Sequence, residues 1–262
     1  PTVYDMAAYP KTLSGKTVAT YVNTHTDLSD ELYREGKLVS DNYKNILRSQ
    51  TNAAAIPAEV TVRYGVTVRR ANLRNLPTGE GLFFYASDRN FDALQETALD
   101  PGEAVAILHT STNGYFYYVQ AYNYRGWLSK FDVAETDRST WLRYAEPKNF
   151  LTVVAKDYTL KADGAQVLFQ QGARLQLADK KASAYTVKVP VRTKEGKLQE
   201  EKVVLAANAS LHEGYLPYTT NNIIRSAFKF YDSVYGWGGL QQSVDCSSFI
   251  SNAYRLSLIH IS

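Results

Sequence analysis

The chain has a single cysteine, Cys246, among 262 residues. One thiol cannot form an intramolecular disulfide, so apolar cores and hydrogen bonds must hold whatever this chain folds into. The surroundings of the thiol are equally restrictive. The run Tyr235-Gly236-Trp237-Gly238-Gly239 precedes it, then a spacer ending in Asp245. After it, Cys246, Phe249, Ile250, Ala253 and Tyr254 fall at i, i+3, i+4, i+7 and i+8. That spacing predicts an α-helix that begins at the sulfur and has one apolar face. A helix N-terminus carries roughly half a positive charge. Such a field favours thiolate over thiol, and the thiolate is the nucleophile. Position alone also allows a plainer reading, a small core hydrophobe.

The length suits two or three domains. An apolar content of 45% lets cores form, and a net charge of +3 is mildly basic. There is no dense Lys/Arg stripe, which argues against nucleic acid as partner. No segment approaches the ~18 apolar residues of a transmembrane helix. The chain opens at Pro1 with no apolar leader, as after signal removal or from an incomplete start. The unusual content is aromatic: 20 Tyr, 10 Phe and 3 Trp. Tyr favours strands and carries a polar handle on an apolar body. It suits wet, ligand-gripping surfaces and barrel cores equally.

Residues 1–60 read as a helical N-terminal segment. Leu28, Leu32, Leu38, Val39, Tyr43, Ile46 and Leu47 recur at helical spacing, broken at Gly36. Ser29 or Asp30 is expected to cap a first helix, and Ser40 or Asp41 a second. So few apolar residues cannot enclose a core, so the segment must pack on its neighbours. Residues 61–137 read as five short strands, with Asn113-Gly114 as a hairpin turn. Residues 138–147 read as a connector. Residues 148–215 give a second β pattern, with turns at Gly164, Gly172 and Glu195-Gly196-Lys197. From 216 to 255 the pattern turns helical: Asn221 or Asn222 is expected to cap a helix bearing Ile223, Ile224, Ala227, Phe228 and Tyr231. The fold class is therefore α+β and multidomain. Residues 256–262, Leu-Ser-Leu-Ile-His-Ile-Ser, break the pattern and read as a non-native tail, excluded from the fold.

Aromatic-Gly-Gly, a short spacer and Asp245-Cys246-Ser247 at a helix start resemble the nucleophile segment of the NlpC family. These are papain-like bacterial cell-wall cysteine peptidases. Ser248 stands where that family usually has Gly. The resemblance covers only about the last forty residues. A second likeness supports it. Ala71 to Thr78, Phe91-Asp92, Gln95-Glu96-Thr97, Asp100-Pro101-Gly102, Tyr117 to Gln120 and Gly126-Trp127 resemble a bacterial SH3-like domain. It looks like the first of two such modules that precede NlpC-type catalytic domains, with residues 148–215 as the second. Residues 216–255 would then be the incomplete N-terminal part of the peptidase domain.

The resemblance implies a thiol endopeptidase that hydrolyses the γ-D-glutamyl–diamino acid bond of peptidoglycan stem peptides. Cys246 would be the nucleophile. Asp245 and Ser247 would bind the free amine of the peptide, and Tyr235 would stand near the oxyanion. Asp245 reads equally as a helix N-cap, and Tyr235 as a packing aromatic. Glu80, Glu96, Glu103, Tyr117 and Tyr118 are candidates for the cleft wall contributed by the SH3-like module. A thiol peptidase needs a base beside its sulfur. His25, His109, His212 and His260 have no motif support. In the family the base lies several dozen residues past the cysteine, so this chain is expected to be inactive while its full-length parent is an enzyme. No cofactor is implied, and no Cys/His cluster has metal-ligand spacing. The expected partners are short muropeptides. The expected location is the bacterial cell envelope, periplasmic or secreted, with or without a lipid anchor, rather than the cytoplasm. The rival reading is a non-catalytic cell-wall-binding protein built on the two barrels. An intracellular adaptor for proline-rich ligands has little support in the aromatic pattern.

Overall fold

A computed structural model describes residues 3–257. Its centre is a seven-stranded antiparallel sheet. In spatial order its strands are Val133–Thr136, Arg63–Thr67, Ala104–Thr110, Phe116–Gln120, Arg125–Ser129, Ala71–Arg74 and Gln95–Leu99. The Asn113-Gly114 signal falls in the turn between the third and fourth of these, where Gly114 has φ 70°. Alternation along the strands feeds two cores. Leu73, Val105, Ile107, Val119, Leu128 and Val133 point to one side. Val66, Ala104, Ala106, Leu108, Tyr118 and Trp127 point to the other.

The N-terminal segment covers that second side. Helix α1, Gly15–Asn23, is capped by Ser14, whose side chain accepts from Thr17 N. It contributes Val18 and Val22 to the sheet's core. The first helix expected from residues 29 onward is absent. Residues Tyr33–Arg34 and Lys37–Leu38 form a short hairpin instead. Glu35 and Gly36 both take positive φ, 52° and 81°, the geometry of a two-residue hairpin turn. Leucines at near-helical spacing were satisfied another way: Leu28, Leu32, Val39 and Leu47 close a small core with Leu76, Leu82 and Leu94 beneath the long loop of residues 75–94. Helix α2, Asp41–Gln50, is capped by Ser40.

The expected connector is a helix, α3, Arg138–Ala145, capped by Asp137. Trp141 and Tyr144, one turn apart, sink into the first sheet's core. Trp141 is fully buried, and its indole N–H donates to Val105 O at 3.0 Å. A five-stranded antiparallel sheet follows, ordered Leu198–Ala206, Ala184–Arg192, Arg174–Lys181, Phe150–Val153, Leu211–Glu213. A hairpin of Asp157–Ala162 and Ala165–Gln170 closes its core around Leu151, Val153, Phe169, Leu175, Val187 and Val189.

The C-terminal segment holds two helices. Helix α4, Thr220–Phe228, is capped by Thr219 rather than by either asparagine, because the threonine hydroxyl reaches Asn222 N at 3.2 Å. Helix α5, Cys246–Arg255, begins at the cysteine. Of the apolar positions on and beside these helices, Ile224, Phe228, Tyr231 and Ile250 are exposed, Ile223, Ala227, Phe249 and Tyr254 are half-buried, and Ala253 is buried. Leu256 and Ser257, excluded as tail, are buried, and Leu256 O accepts from Leu216 N at 2.7 Å. The fold therefore runs two residues past the expected boundary. The rest of the tail, with His260, lies outside the described residues.

Trp141→Ala is expected to destabilise the chain by about 3–5 kcal/mol through the cavity it leaves beside the sheet. A urea unfolding midpoint within error of the parent's would show that α3 is not part of this core.

Candidate functional site around Cys246

The loop that delivers the thiol is closed on itself. Tyr235 bridges Val244, and Gly236 N donates to Val244 O at 3.0 Å. Asp245 finishes the closure. Its Oδ2 accepts from Gly238 N at 3.0 Å. Its Oδ1 accepts from Ser248 N at 2.7 Å, Ser248 Oγ at 2.8 Å and Ser247 Oγ at 3.0 Å. Ser248 Oγ also receives Asp245 N at 2.9 Å, a full capping box. Ser248 is thus a capping residue. Partial burial pushes the Asp245 carboxyl up, but the bonds from Ser248, Ser247 and Gly238 outweigh it and hold it below the usual carboxylate range. An ionised carboxylate has about four lone-pair sites. The local structure occupies most of those on Asp245, so its capping role is realised.

Cys246 is the first residue of α5 and is exposed. Tyr235 stands beside it. Burial first, then the adjoining Cys246 and Asp245, hold the Tyr235 phenol above its ordinary range. The two residues that the sequence linked are therefore neighbours in space.

The loop packs against the edge strand of the first sheet, and the glycines have a reason in that contact. A Cβ at Gly238 would lie 2.6 Å from Gln95 Cγ, and one at Gly239 would lie 2.7 Å from Ala98 Cβ. Both glycines take positive φ, 53° and 79°. No side chain could lie this close to the strand, so glycine is required. The carbonyls then serve as acceptors: Gly238 O receives Gln95 Nε2 at 2.9 Å, and Gly239 O receives Arg70 Nη2 at 3.4 Å. On the other flank, Phe91 from the 75–94 loop stacks near Tyr235 and Trp237, each ring centre 5.6 Å away. Gln241 donates to Asn90 Oδ1 at 3.0 Å. Such aromatic contacts contribute about 0.5–1.5 kcal/mol beyond burial.

Asp245 and Ser247 also line a cavity of about 350 Å³ between α5 and the first sheet. Of the candidates for its far wall, the structure places Glu96 and Glu103 there, with Tyr122 and Tyr124. Glu80 is engaged elsewhere, by Tyr43 and Arg34. Tyr117 donates to Glu135 at 2.9 Å, and Tyr118 to Tyr21 O at 2.9 Å. Glu103 is itself paired with Arg255. Burial pushes the Glu103 carboxyl up, while Arg255 and Arg174 bring it below the usual range. Tyr122 and Tyr124 escaped the sequence reading, since nothing in their spacing marks them off from the strand tyrosines nearby.

The histidines sit at other places. His25 Nδ1 contacts Thr26 O at 2.8 Å, and His212 Nδ1 contacts Gly214 O at 3.4 Å. His109 Nε2 contacts Asn52 O at 3.0 Å, and burial lowers its pKa. None of the three bonds to Cys246. Among the described residues, no cluster of His, Cys, Asp or Glu could hold a metal ion. No helix among them is long and apolar enough to cross a membrane.

Residues 82–129 match the SH3 domain family of the SH3b1 type. This stretch runs from within the 75–94 loop through the edge strand Gln95–Leu99, against which the Cys246 loop packs, to the strand Arg125–Ser129. No curated protein matches the chain. Among solved structures, an NlpC/P60 endopeptidase from Photobacterium damselae subsp. piscicida is similar over 92% of this chain, with a TM-score of 0.66 and 19% identity. This chain spans 62% of that protein's length. An NlpC/P60 family protein from Bacillus cereus ATCC 10987 is similar over 62% of this chain and 55% of its own, at 17% identity and a TM-score of 0.48. The fold is thus like that of an NlpC/P60 endopeptidase, and it includes a segment of SH3 type.

A carboxyl with a folded pKa below its unfolded value stabilises the fold above the unfolded value, and that stability fades as pH falls through the folded one. Asp245 is such a group, so its contribution is present at neutral pH and is lost below about pH 4. Asp245→Ala is expected to cost about 1 kcal/mol at pH 7, as a lost N-cap. Asp245→Asn retains a cap and should erase the acid-dependent part. Thermal melts of the three proteins between pH 7 and pH 3 check this; parallel curves would contradict it.

Proposed function

We propose that Cys246 is the nucleophile of a thiol endopeptidase of the NlpC type, acting on peptidoglycan stem peptides. The observation that carries the reading is the exposed thiol at the start of a fully capped helix, with Tyr235 beside it and an acidic cavity on its flank. The proposed bond is the γ-D-glutamyl–diamino acid linkage. Thiolate attack on its carbonyl would give a tetrahedral oxyanion, with the Tyr235 hydroxyl placed to donate to it. The diamino acid amine would leave with a proton, and water would then release the γ-D-glutamyl product from the sulfur. Ser247, Glu96 and the remaining lone pair of Asp245 offer oxygens suited to the free ammonium at the peptide's N-terminus. Closure of the cleft by the SH3-type unit favours short peptides with a free amine, as in turnover and recycling in the cell envelope.

The step that takes the thiol proton needs a base, and none of the described histidines bonds to Cys246. In this proposal the base lies outside the described residues. The exposed apolar side chains of α4 and α5 support it, as does the greater length of the Photobacterium protein. The second reading is a wall-binding protein without catalysis; the SH3-type match over residues 82–129 favours it.

The two readings part on one measurement. The 262-residue chain and any longer product of its natural reading frame are each incubated with L-Ala-γ-D-Glu-diaminopimelate. The longer product should release L-Ala-γ-D-Glu, with Cys246→Ala lowering the rate by at least about a thousandfold; the shorter chain should release none. Release that persists in Cys246→Ala removes Cys246 from the mechanism. Binding without release by the longer product supports the second reading.

A further inference from the structure

Asp100 lies at the turn after the first sheet's edge strand, and its side chain is 5% exposed. It is the meeting point of three parts of the molecule. Oδ1 accepts from Arg70 Nη1 of the first sheet at 2.9 Å. The same oxygen accepts from Gln170 N, at the end of the second unit's hairpin, at 3.0 Å. Oδ2 faces Arg255 Nη1, in the last turn of α5, at 3.8 Å.

Each of these partners continues to the segment that carries the thiol. Arg70 donates on to Gly239 O. The Gln170 side chain is buried; its Nε2 donates to Gln242 O and Ser243 O, each at 3.3 Å, and its Oε1 accepts from Asn252 Nδ2 at 3.3 Å. Arg255 is also held by Glu103. The nucleophile helix is therefore gripped before its first turn, in its middle and at its end, and all three lines of contact start at one carboxylate. Asp100 touches neither Cys246 nor the loop carbonyls itself.

We infer that Asp100 is a positioning residue for Cys246: it sets the nucleophile helix against the first sheet through Arg70, Gln170 and Arg255. The inference rests on the reading of Cys246 as nucleophile for its meaning, and on geometry alone for its truth. Removing this buried carboxylate leaves the Arg70 guanidinium without its ion pair and loosens Arg255, which keeps only Glu103. Two of the three contacts leave Asp100's own sheet, so the effect of losing it should fall on α5 rather than on the strands beneath.

The test uses the 262-residue chain and does not depend on peptidase activity. Amide hydrogen exchange is measured for residues 249–255 and, as reference, for Val105, Ile107 and Val119. The rate of Cys246 alkylation by iodoacetamide is measured at one fixed pH. In Asp100→Ala, exchange along α5 should rise about tenfold or more, with the reference amides within about twofold. Alkylation should slow, because a loosened start of α5 no longer holds the sulfur in its exposed position. Arg255→Gln should reproduce this. Arg255→Lys, which keeps a cation within reach, should restore much of it. The double variant Asp100→Ala with Arg255→Gln should fall short of the sum of the two single changes, because they share the Asp100–Arg255 contact. If Asp100→Ala does not fold, Asp100→Asn, which keeps an acceptor for Gln170 N and removes the charge that faces Arg70 and Arg255, decides the matter. Unchanged exchange in α5, an equal rise in the reference amides, or no recovery with lysine would overturn the inference. A chain that is inactive on every peptide but shows the localised exchange would refute the proposed function and leave this inference standing.

Discussion

The segment that carries Cys246 has almost no core of its own. Among the described residues from 216 onward, the buried apolar side chains are Phe230, Val244, Ala253 and Leu256, and none joins the large clusters of the two β units. Apolar burial is worth about 25 cal/mol per Å², so this little burial fixes nothing firmly. Hydrogen bonds and ion pairs to the β units supply what is missing. Gln95, Arg70 and Gln170 bind loop carbonyls, and Asp100 and Glu103 bind Arg255. Sheltered from water, such bonds are directional and costly to break. A thiol held in this way stays exposed while its backbone is fixed, which a cysteine packed in a core could not achieve.

The same dependence explains the Gly-rich run. Read along the chain, Gly238 and Gly239 belong to the neighbourhood of the cysteine. In space they belong equally to the strand Gln95–Leu99, whose side chains leave no room for a Cβ. The loop's composition is thus set by the surface it lies on. The region matching the SH3 family, residues 82–129, holds that surface and the loop bearing Phe91. It acts as a wall of the site and as the platform beneath it.

What could be read from the sequence was local. The Asp245 cap and the helix from Cys246 are decided within four residues, and Asn113-Gly114 sets its own turn. The failures divide into two kinds. In the first, a local signal was present and passed over. Glu35-Gly36 is a hairpin turn amid leucines that suggested a helix, and Asp137 with Trp141 and Tyr144 is a capped, one-faced helix inside a supposed connector. In the second, no local signal exists. Asp100 and Arg255 lie in separate modules, and nothing in the spacing of either residue points to the other. The same holds for Tyr122 and Tyr124 across the cavity from Ser247. Partners brought together by tertiary packing leave no period in the sequence, so cap and helix were legible and the grip on them was not.

The abundance of tyrosine now has a physical sense that composition alone left open. Tyr118 is buried against Trp127, yet its hydroxyl reaches out to Tyr21 O in α1. Tyr144 fills the core under α3, and its hydroxyl reaches Glu200 of the second sheet at 3.1 Å. Tyr117 meets Glu135, and Tyr43 meets Glu80. Each ring adds apolar area to one element while its hydroxyl bonds to another. Phenylalanine would provide the area and leave the partner unpaired, at a cost of about 1–3 kcal/mol where that partner is buried. In a chain of small modules without disulfides, a residue that packs and links at once does the work that covalent bridges do elsewhere. Tyr235 differs from these four: its ring is half-exposed, and its neighbours are Cys246 and Asp245 rather than a distant module.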